Sequence, residues 1–100
     1  MGQPVEVRSQ GWTFLTNHGH VLLVLVADPG LRIRDVAARV GITERAAQRI
    51  LGDLISAGYV GRQKQGRRNV YRLELDRPLR HPIEARHTVR ELIEALRTSR

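Results

Sequence analysis

The basic side chains of this 100-residue sequence are concentrated between residues 32 and 72. That stretch contains ten arginines or lysines and three acidic residues, so its charge of +7 equals the charge of the whole chain. Guanidinium groups form paired hydrogen bonds with phosphate oxygens and with the edge of guanine. A clustered excess of arginine therefore indicates recognition of a polyanion, and of nucleic acid above all.

The segment 44–57 has the pattern of an amphipathic helix that carries part of this charge. Successive residues at intervals of about 100° place four apolar side chains on one face: Ala47, Ile50, Leu51 and Leu54. Arg45 and Arg49 fall on the opposite face with Gly52, and Gln48 lies at its edge. Arginine can donate two hydrogen bonds to guanine, and glutamine can pair with adenine. We therefore predict that Arg45, Gln48 and Arg49 contact DNA bases.

A second group of polar side chains is predicted to contact phosphates or to enter the minor groove. Alternating residues over 59–64 and 70–75 indicate two strands, with residues 65–69 as the hairpin loop between them. A basic hairpin beside a DNA-binding helix forms a wing, which we place at residues 62–72. The predicted contacts are Thr43, Arg34, Arg62, Lys64, Arg67, Arg68 and Asn69.

The residues that precede this helix predict two further helices. Thr16 can cap the first one, whose dense apolar run from Val21 to Val26 indicates burial. The sequence Asp28-Pro29-Gly30 ends that helix, and Leu31 to Ile33 alternates as a brief strand. A second helix is predicted from about Arg34 to Val40.

The two helices on either side of Gly41 have the spacing of a helix-turn-helix unit. Gly41 makes the turn, Thr43 can cap the helix that follows, and Gly58 ends it. Small and apolar residues fill the shared core: Val36, Ala37, Val40, Ile42, Ala47 and Ile50. With the hairpin, residues 16–76 are predicted to form a winged helix-turn-helix domain, an α+β fold that is mainly helical, with a three-helix core and a β-hairpin wing.

Two segments flank that domain. Residues 1–15 have no clear period and are predicted to form an arm in which Trp12 and Phe14 pack on the domain or on a partner. Residues 82–97 are predicted to form a fourth helix, because Pro82 is tolerated at the first helical position. The apolar stripe of this helix fits a homodimer interface, or packing on the chain's own first helix: Ala85, Val89, Leu92, Ile93 and Leu96.

The segment around the turn resembles the recognition segment of MarR/ArsR-type bacterial transcriptional regulators. The resemblance spans about 60 residues and rests on Gly41-Ile42-Thr43-Glu44-Arg45-Ala46-Ala47-Gln48-Arg49-Ile50-Leu51, Leu54, Ala57-Gly58-Tyr59-Val60 and Arg67-Arg68-Asn69-Val70-Tyr71-Arg72-Leu73. It implies a dimer on operator DNA, with Thr43, Arg45, Gln48 and Arg49 facing the major groove and the wing near the minor groove or backbone. The chain lacks the long paired terminal helices of MarR proteins and the cysteine pair of metal-sensing ArsR proteins.

The sequence therefore predicts a cytoplasmic transcriptional regulator that binds double-stranded DNA sequence-specifically as a homodimer. We expect a repressor that reads a pseudo-palindromic operator with two recognition helices, residues 44–57, roughly 34 Å apart. The alternative is a winged-helix module that binds protein or RNA without specific DNA readout, since a fold does not fix a function. A third hypothesis is a small-molecule effector bound between the first helix, the arm with Trp12 and Phe14, and the fourth helix.

Other classes of protein lack their characteristic residues in this sequence. No phosphate-binding glycine loop, G-x-S-x-G or H-E-x-x-H motif is present, so we predict neither enzyme activity nor a cofactor. The chain has no cysteine, and His87 with Glu84 and Glu91 fits a solvated helix surface better than a metal site. The longest apolar run, Val21 to Ala27, is far shorter than the roughly 20 residues that span a bilayer, so no membrane partner is expected.

Overall fold

The fold, seen in a computed structural model that describes residues 11–97, consists within that range of four helices and one two-stranded antiparallel sheet. The elements are α1 (Asn17–Ala27), α2 (Ile33–Val40), α3 (Glu44–Ser56), β1 (Val60–Gln65), β2 (Arg68–Leu73) and α4 (Val89–Arg97). This arrangement confirms the predicted winged helix-turn-helix fold, which is mainly helical. Of the arm predicted at residues 1–15, residues 1–10 lie outside the described part of the chain.

One hydrophobic core joins the first three helices, α1, α2 and α3, to the base of the hairpin. α3 contributes the four side chains that its periodicity predicted, Ala47, Ile50, Leu51 and Leu54, all of which are buried. α1 buries Val21, Leu22 and Leu25, and α2 buries Val36 and Ala37. The small residues Ala37 and Ala47 allow α2 and α3 to pack closely against each other. The core therefore fixes α3 with its polar face outward.

The turn between α2 and α3 depends on Gly41. Its φ of +89° lies in the left-handed region, which a residue without Cβ adopts most easily. The N–H groups of Gly41 and Ile42 both donate to the carbonyl of Ala37, at 2.8 and 3.0 Å, and so end α2. The Thr43 hydroxyl accepts the N–H of Ala46 at 3.0 Å, which confirms the predicted cap of α3. Thr16 precedes α1 as predicted but makes no side-chain capping hydrogen bond.

The segment after α1 differs from its prediction. Leu31 to Ile33 forms no strand, because Leu31 donates its N–H back to Asp28 in a turn at 3.2 Å and Ile33 already begins α2. The loop is tied to β2 instead. Tyr71 donates its N–H to the carbonyl of Pro29 at 3.3 Å, and the guanidinium of Arg68 donates to the carbonyl of Gly30. The wing is therefore held against the loop between α1 and α2.

The wing is a hairpin with a tighter turn than the sequence predicted. The strands pair from Val60 opposite Leu73 to Gln65 opposite Arg68, which leaves Gly66 and Arg67 as a two-residue turn. The predicted loop of residues 65–69 is therefore too long. Gly66 has a φ of +65°, the conformation that permits so short a connection.

The last helix begins at Val89 and not at Pro82, so the prediction of a helix over residues 82–97 is wrong at its start. Residues 82–87 form turns, and Thr88 makes a capping box with Glu91. The Glu91 carboxylate accepts the Thr88 N–H at 2.7 Å, and the Thr88 hydroxyl accepts the Glu91 N–H at 3.2 Å. The hydrogen bond from the Thr88 backbone lowers the pKa of Glu91, and His87 beside it has the same effect.

Helix α4 packs on the core of its own chain. Val89 and Ile93 are buried there, Leu92 is half-buried and Leu96 is exposed, whereas Ala85 lies exposed in the turns before the helix. The stripe predicted for a dimer interface is thus divided, because the chain turns back after β2 and inserts the first turns of α4 into the core.

Two contacts of Arg90 fix the orientation of α4 on the chain. Its N–H donates to the carbonyl of Leu75 at 2.8 Å, and its guanidinium donates to the Asp76 carboxylate at 2.6 and 3.3 Å. That guanidinium lowers the pKa of Asp76, chiefly through the hydrogen bond. Within residues 11–97, no helix is both long enough and apolar enough to cross a membrane.

Candidate nucleic-acid interface

The N-terminal half of α3 presents the three predicted base-reading side chains together. Arg45, Gln48 and Arg49 are all exposed, on the side of the helix opposite its buried residues. Neither guanidinium is paired with any other described residue through a hydrogen bond or an ion pair. Two arginines and a glutamine within one turn and a half are therefore free to bind an external acceptor.

The first turn of α3 adds a second feature that suits an anion. Thr43 is exposed, and its hydroxyl can still donate a hydrogen bond while it accepts one from Ala46. The N-terminal end of a helix carries a partial positive charge and free N–H groups. Arg34, near the start of α2, is also exposed. The first turn of α3 can therefore hold a phosphate, and Arg34 offers a separate positive charge at the far end of α2.

The wing carries basic side chains on the same face of the hairpin that, nearer its base, packs against the core. Residues opposite each other in an antiparallel pair share a face, so Arg62 lies beside Tyr71 and Lys64 beside Asn69. Tyr71 is buried, whereas Arg62 and Lys64 extend past the core and are exposed, as is Arg67 in the turn. The outer half of the hairpin is thus a positively charged surface.

Two wing residues predicted to contact DNA have other surroundings. Arg68 is exposed but already donates to the carbonyl of Gly30. Asn69 is half-buried, and its side-chain oxygen has no hydrogen-bond partner among the described residues. The sequence could not indicate the role of Arg68, because its partner lies 38 residues away in the chain.

The second half of α3 is linked to α1. The Asp53 carboxylate forms a hydrogen bond with Nε2 of His18 at 2.8 Å, with both side chains partly exposed. Asp53 is the acidic residue in the second half of α3, and its hydrogen bond with His18 holds the negatively charged carboxylate towards α1. The sequence analysis missed this link, and the 35-residue separation left no local signal for it.

A cavity lies between the start of α1, the end of α3 and the segment 79–92. Its volume is about 740 Å³. Leu22, Leu54 and Tyr59 line its inner wall, and Phe14 and Ile83 line its exposed edge. This is the region that the effector hypothesis specified, although the part near Ile83 comes from turns and not from the expected helix. The described residues contain no group of three side chains that could hold a metal ion.

Comparison with known proteins agrees with this geometry. Residues 15–60 match the winged helix-turn-helix DNA-binding domain family. The PcaV transcriptional regulator of Streptomyces coelicolor, solved with its natural ligand, is 32% identical with a TM-score of 0.53, over 60% of this chain and 45% of PcaV. A MarR family protein of Mycobacterium tuberculosis, solved with salicylic acid, is 29% identical with a TM-score of 0.50, over 68% of this chain and 51% of that one. No curated protein sequence matches the chain.

These matches agree on the class of domain that the chain resembles. Residues 15–60 are similar to the winged helix-turn-helix DNA-binding domains of the matched family, and the chain has the corresponding fold over its described residues. Within that class, its sequence and fold are similar to those of MarR-family regulators, which confirms the resemblance predicted from the segment around Gly41. The chain spans about half the length of the two solved proteins.

Proposed function

We propose that the protein is a transcriptional regulator that binds operator DNA sequence-specifically, with α3 in the major groove and the wing on the minor groove or backbone. The observation that carries the proposal is the exposed set of Arg45, Gln48 and Arg49, which has no hydrogen-bond or ion-pair partner among the described residues, on a helix fixed by its opposite face. The match to a DNA-binding domain family supports it. Paired hydrogen bonds from arginine to guanine and from glutamine to adenine supply the sequence preference.

The regulator acts as a homodimer that represses transcription at a pseudo-palindromic operator. Leu96, 53% exposed, and the half-buried Leu92 lie one turn apart on α4 and support a second copy as the partner of this helix. Val89 and Ile93 are buried in the core of their own chain and do not face that copy. A two-fold axis would place two recognition helices in successive major grooves, roughly 34 Å apart.

Fluorescence anisotropy tests this proposal directly. The purified protein is titrated onto DNA from upstream of its own gene and onto scrambled DNA of equal length, at two salt concentrations. We expect the promoter to bind at least about a thousandfold more tightly, with two chains per operator. Equal and strongly salt-dependent binding to both would contradict specific readout. Absence of binding to either would favour a module that binds protein or RNA.

Replacing Arg67 by alanine tests the contribution of the wing to DNA binding separately from that of the base-reading helix. The side chain is exposed at the tip of the hairpin, so we expect it to contribute charge and no sequence preference. Affinity for promoter and scrambled DNA should fall by similar factors, and the slope of log affinity against log salt should decrease in magnitude by about one. The control is Arg72→Ala, because Arg72 is held by Glu74 at 2.9 Å and should change both quantities less. A loss confined to promoter DNA would contradict this role.

The cavity beside α1 supports a second function, the binding of a small and largely apolar effector. Its volume of about 740 Å³ lies within the range of ligand pockets, roughly 300 to 1,000 Å³. One of the two similar proteins was solved with its natural ligand and the other with salicylic acid. Since the cavity is bounded by both α1 and α3, a molecule within it would contact the helix that reads DNA.

Trp12 offers a direct measurement of this binding. It is the single tryptophan of the chain, and its ring lies 5.1 Å from that of Phe14, which lines the cavity. We expect salicylic acid, used as the probe, to change Trp12 fluorescence saturably and to weaken promoter binding. Phe14→Ala retains Trp12 but should weaken the response, because an apolar wall of the cavity is lost. A linear fluorescence change that is identical in both proteins would contradict effector binding at this site.

A further inference from the structure

Gly52 occupies a position in α3 where nothing in the described part of the chain requires glycine. It lies inside the helix, where glycine is among the least favourable residues. A Cβ at Gly52 would meet no described atom within 4 Å, whereas a Cβ at Gly19 of α1 would meet Leu15 at 3.3 Å. Its φ is also not among the positive ones, unlike that of Gly41. The packing and backbone of residues 11–97 therefore do not explain this glycine.

The position of Gly52 on the helix suggests a reason for the glycine that lies outside the chain. It is exposed, and it lies seven residues after Arg45, which places the two nearly in line and about 10 Å apart along the axis. The exposed row therefore passes from the long side chain of Arg45 to a bare backbone at Gly52, and then to the short side chain of Ser56. A helix that enters the major groove with its first turns must pass one wall of the groove with its later turns.

We propose that Gly52 is the point where the backbone of α3 comes closest to the sugar–phosphate wall of the DNA, and that its missing side chain sets the depth at which Arg45 and Arg49 reach the bases. The inference rests on the proposed DNA-binding function. Gly52 is a positioning residue, because it acts through the placement of the two arginines. Asp53, the neighbouring acidic group, lies about 100° further round the helix and is bonded to His18 at 2.8 Å. Its carboxylate therefore does not occupy the approach to Gly52.

The substitution Gly52→Ala tests this inference with two opposed effects. Alanine is the better helix former, so the melting temperature should rise, by roughly 4 to 8 °C for a domain of this size. Promoter affinity should fall at least about tenfold, because one methyl group lifts the helix from the groove wall. Selectivity for promoter over scrambled DNA should fall as well, since the arginines lose their reach to the bases while the wing still binds phosphates.

Ser56→Ala is the matched control, one turn further along the same exposed row. It should leave promoter affinity within about twofold, and Gly52→Gln should weaken binding more than Gly52→Ala. A Gly52→Ala protein that is more stable and binds the promoter as tightly as the original overturns the inference. A dimer that dissociates in the same variant also overturns it, because the space would then belong to a second copy. If the original protein itself shows no promoter selectivity, the proposed function fails together with this inference.

Discussion

Replacing Arg45 and Arg49 together by alanine is expected to remove most of the protein's preference for its own operator while leaving its stability nearly unchanged. Both side chains are exposed, and their removal breaks no hydrogen bond or ion pair within residues 11–97. Each paired contact to a base contributes about 1 to 3 kcal/mol of discrimination. The loss of two should reduce promoter affinity by roughly 30-fold to more than 10,000-fold.

The measurement is anisotropy on promoter and scrambled DNA, accompanied by thermal unfolding. The matched control replaces Arg86 and Arg97, which are exposed and lie outside the basic segment 32–72. It removes the same charge, so it should weaken binding to both DNAs modestly and leave their ratio unchanged. If both double variants weaken both DNAs equally, Arg45 and Arg49 contribute charge alone and read no bases.

Replacing Ile93 by alanine should destabilise the whole domain. Ile93 is 2% exposed and belongs to the core that also contains residues of α1 and α3. Truncating a buried isoleucine typically costs about 2 to 5 kcal/mol, the lost transfer energy plus the cavity that remains. The melting temperature should fall by roughly 10 °C or more. A nine-residue helix is also too short to be stable by itself, so α4 should detach.

Chemical denaturation with circular dichroism at a fixed protein concentration measures this effect. Glu94→Ala is the control, because Glu94 is the next residue of the same helix and is exposed. We expect it to change the free energy of unfolding by less than about 0.5 kcal/mol. A loss below about 1 kcal/mol for Ile93→Ala would mean that α4 is only loosely attached to the core.

The helix-turn-helix unit could be predicted because its signals are local. A Thr43 cap, a period of 3.6 residues from Ala47 to Leu54, and a glycine at 41 each act within a few residues of the structure they determine. The outward direction of Arg45 and Arg49 follows from that period alone. The same reasoning predicts the wrong start for α4. Proline is tolerated at the first position of a helix, so Pro82 fits a helix start, but the capping box of Thr88 and Glu91 begins the helix at Val89.

The remaining features depend on residues far apart in the chain. The bond from His18 to Asp53 spans 35 residues, and that from Arg68 to Gly30 spans 38, so no local pattern could reveal them. The stripe on α4 illustrates a related difficulty. Its periodicity correctly indicated that Val89 and Ile93 are covered, but an amphipathic pattern does not identify what covers it.

The insertion of α4 into the core has a consequence for the construction of hybrid regulators. A domain cut after β2 would retain the helix-turn-helix unit and the hairpin, yet it would lose Val89 and Ile93 from the hydrophobic cluster that also contains Leu54 and Tyr59. The smallest transplantable unit therefore extends through α4. A junction with a foreign sensing or assembly module belongs after that helix, so that the transferred domain keeps its complete hydrophobic core.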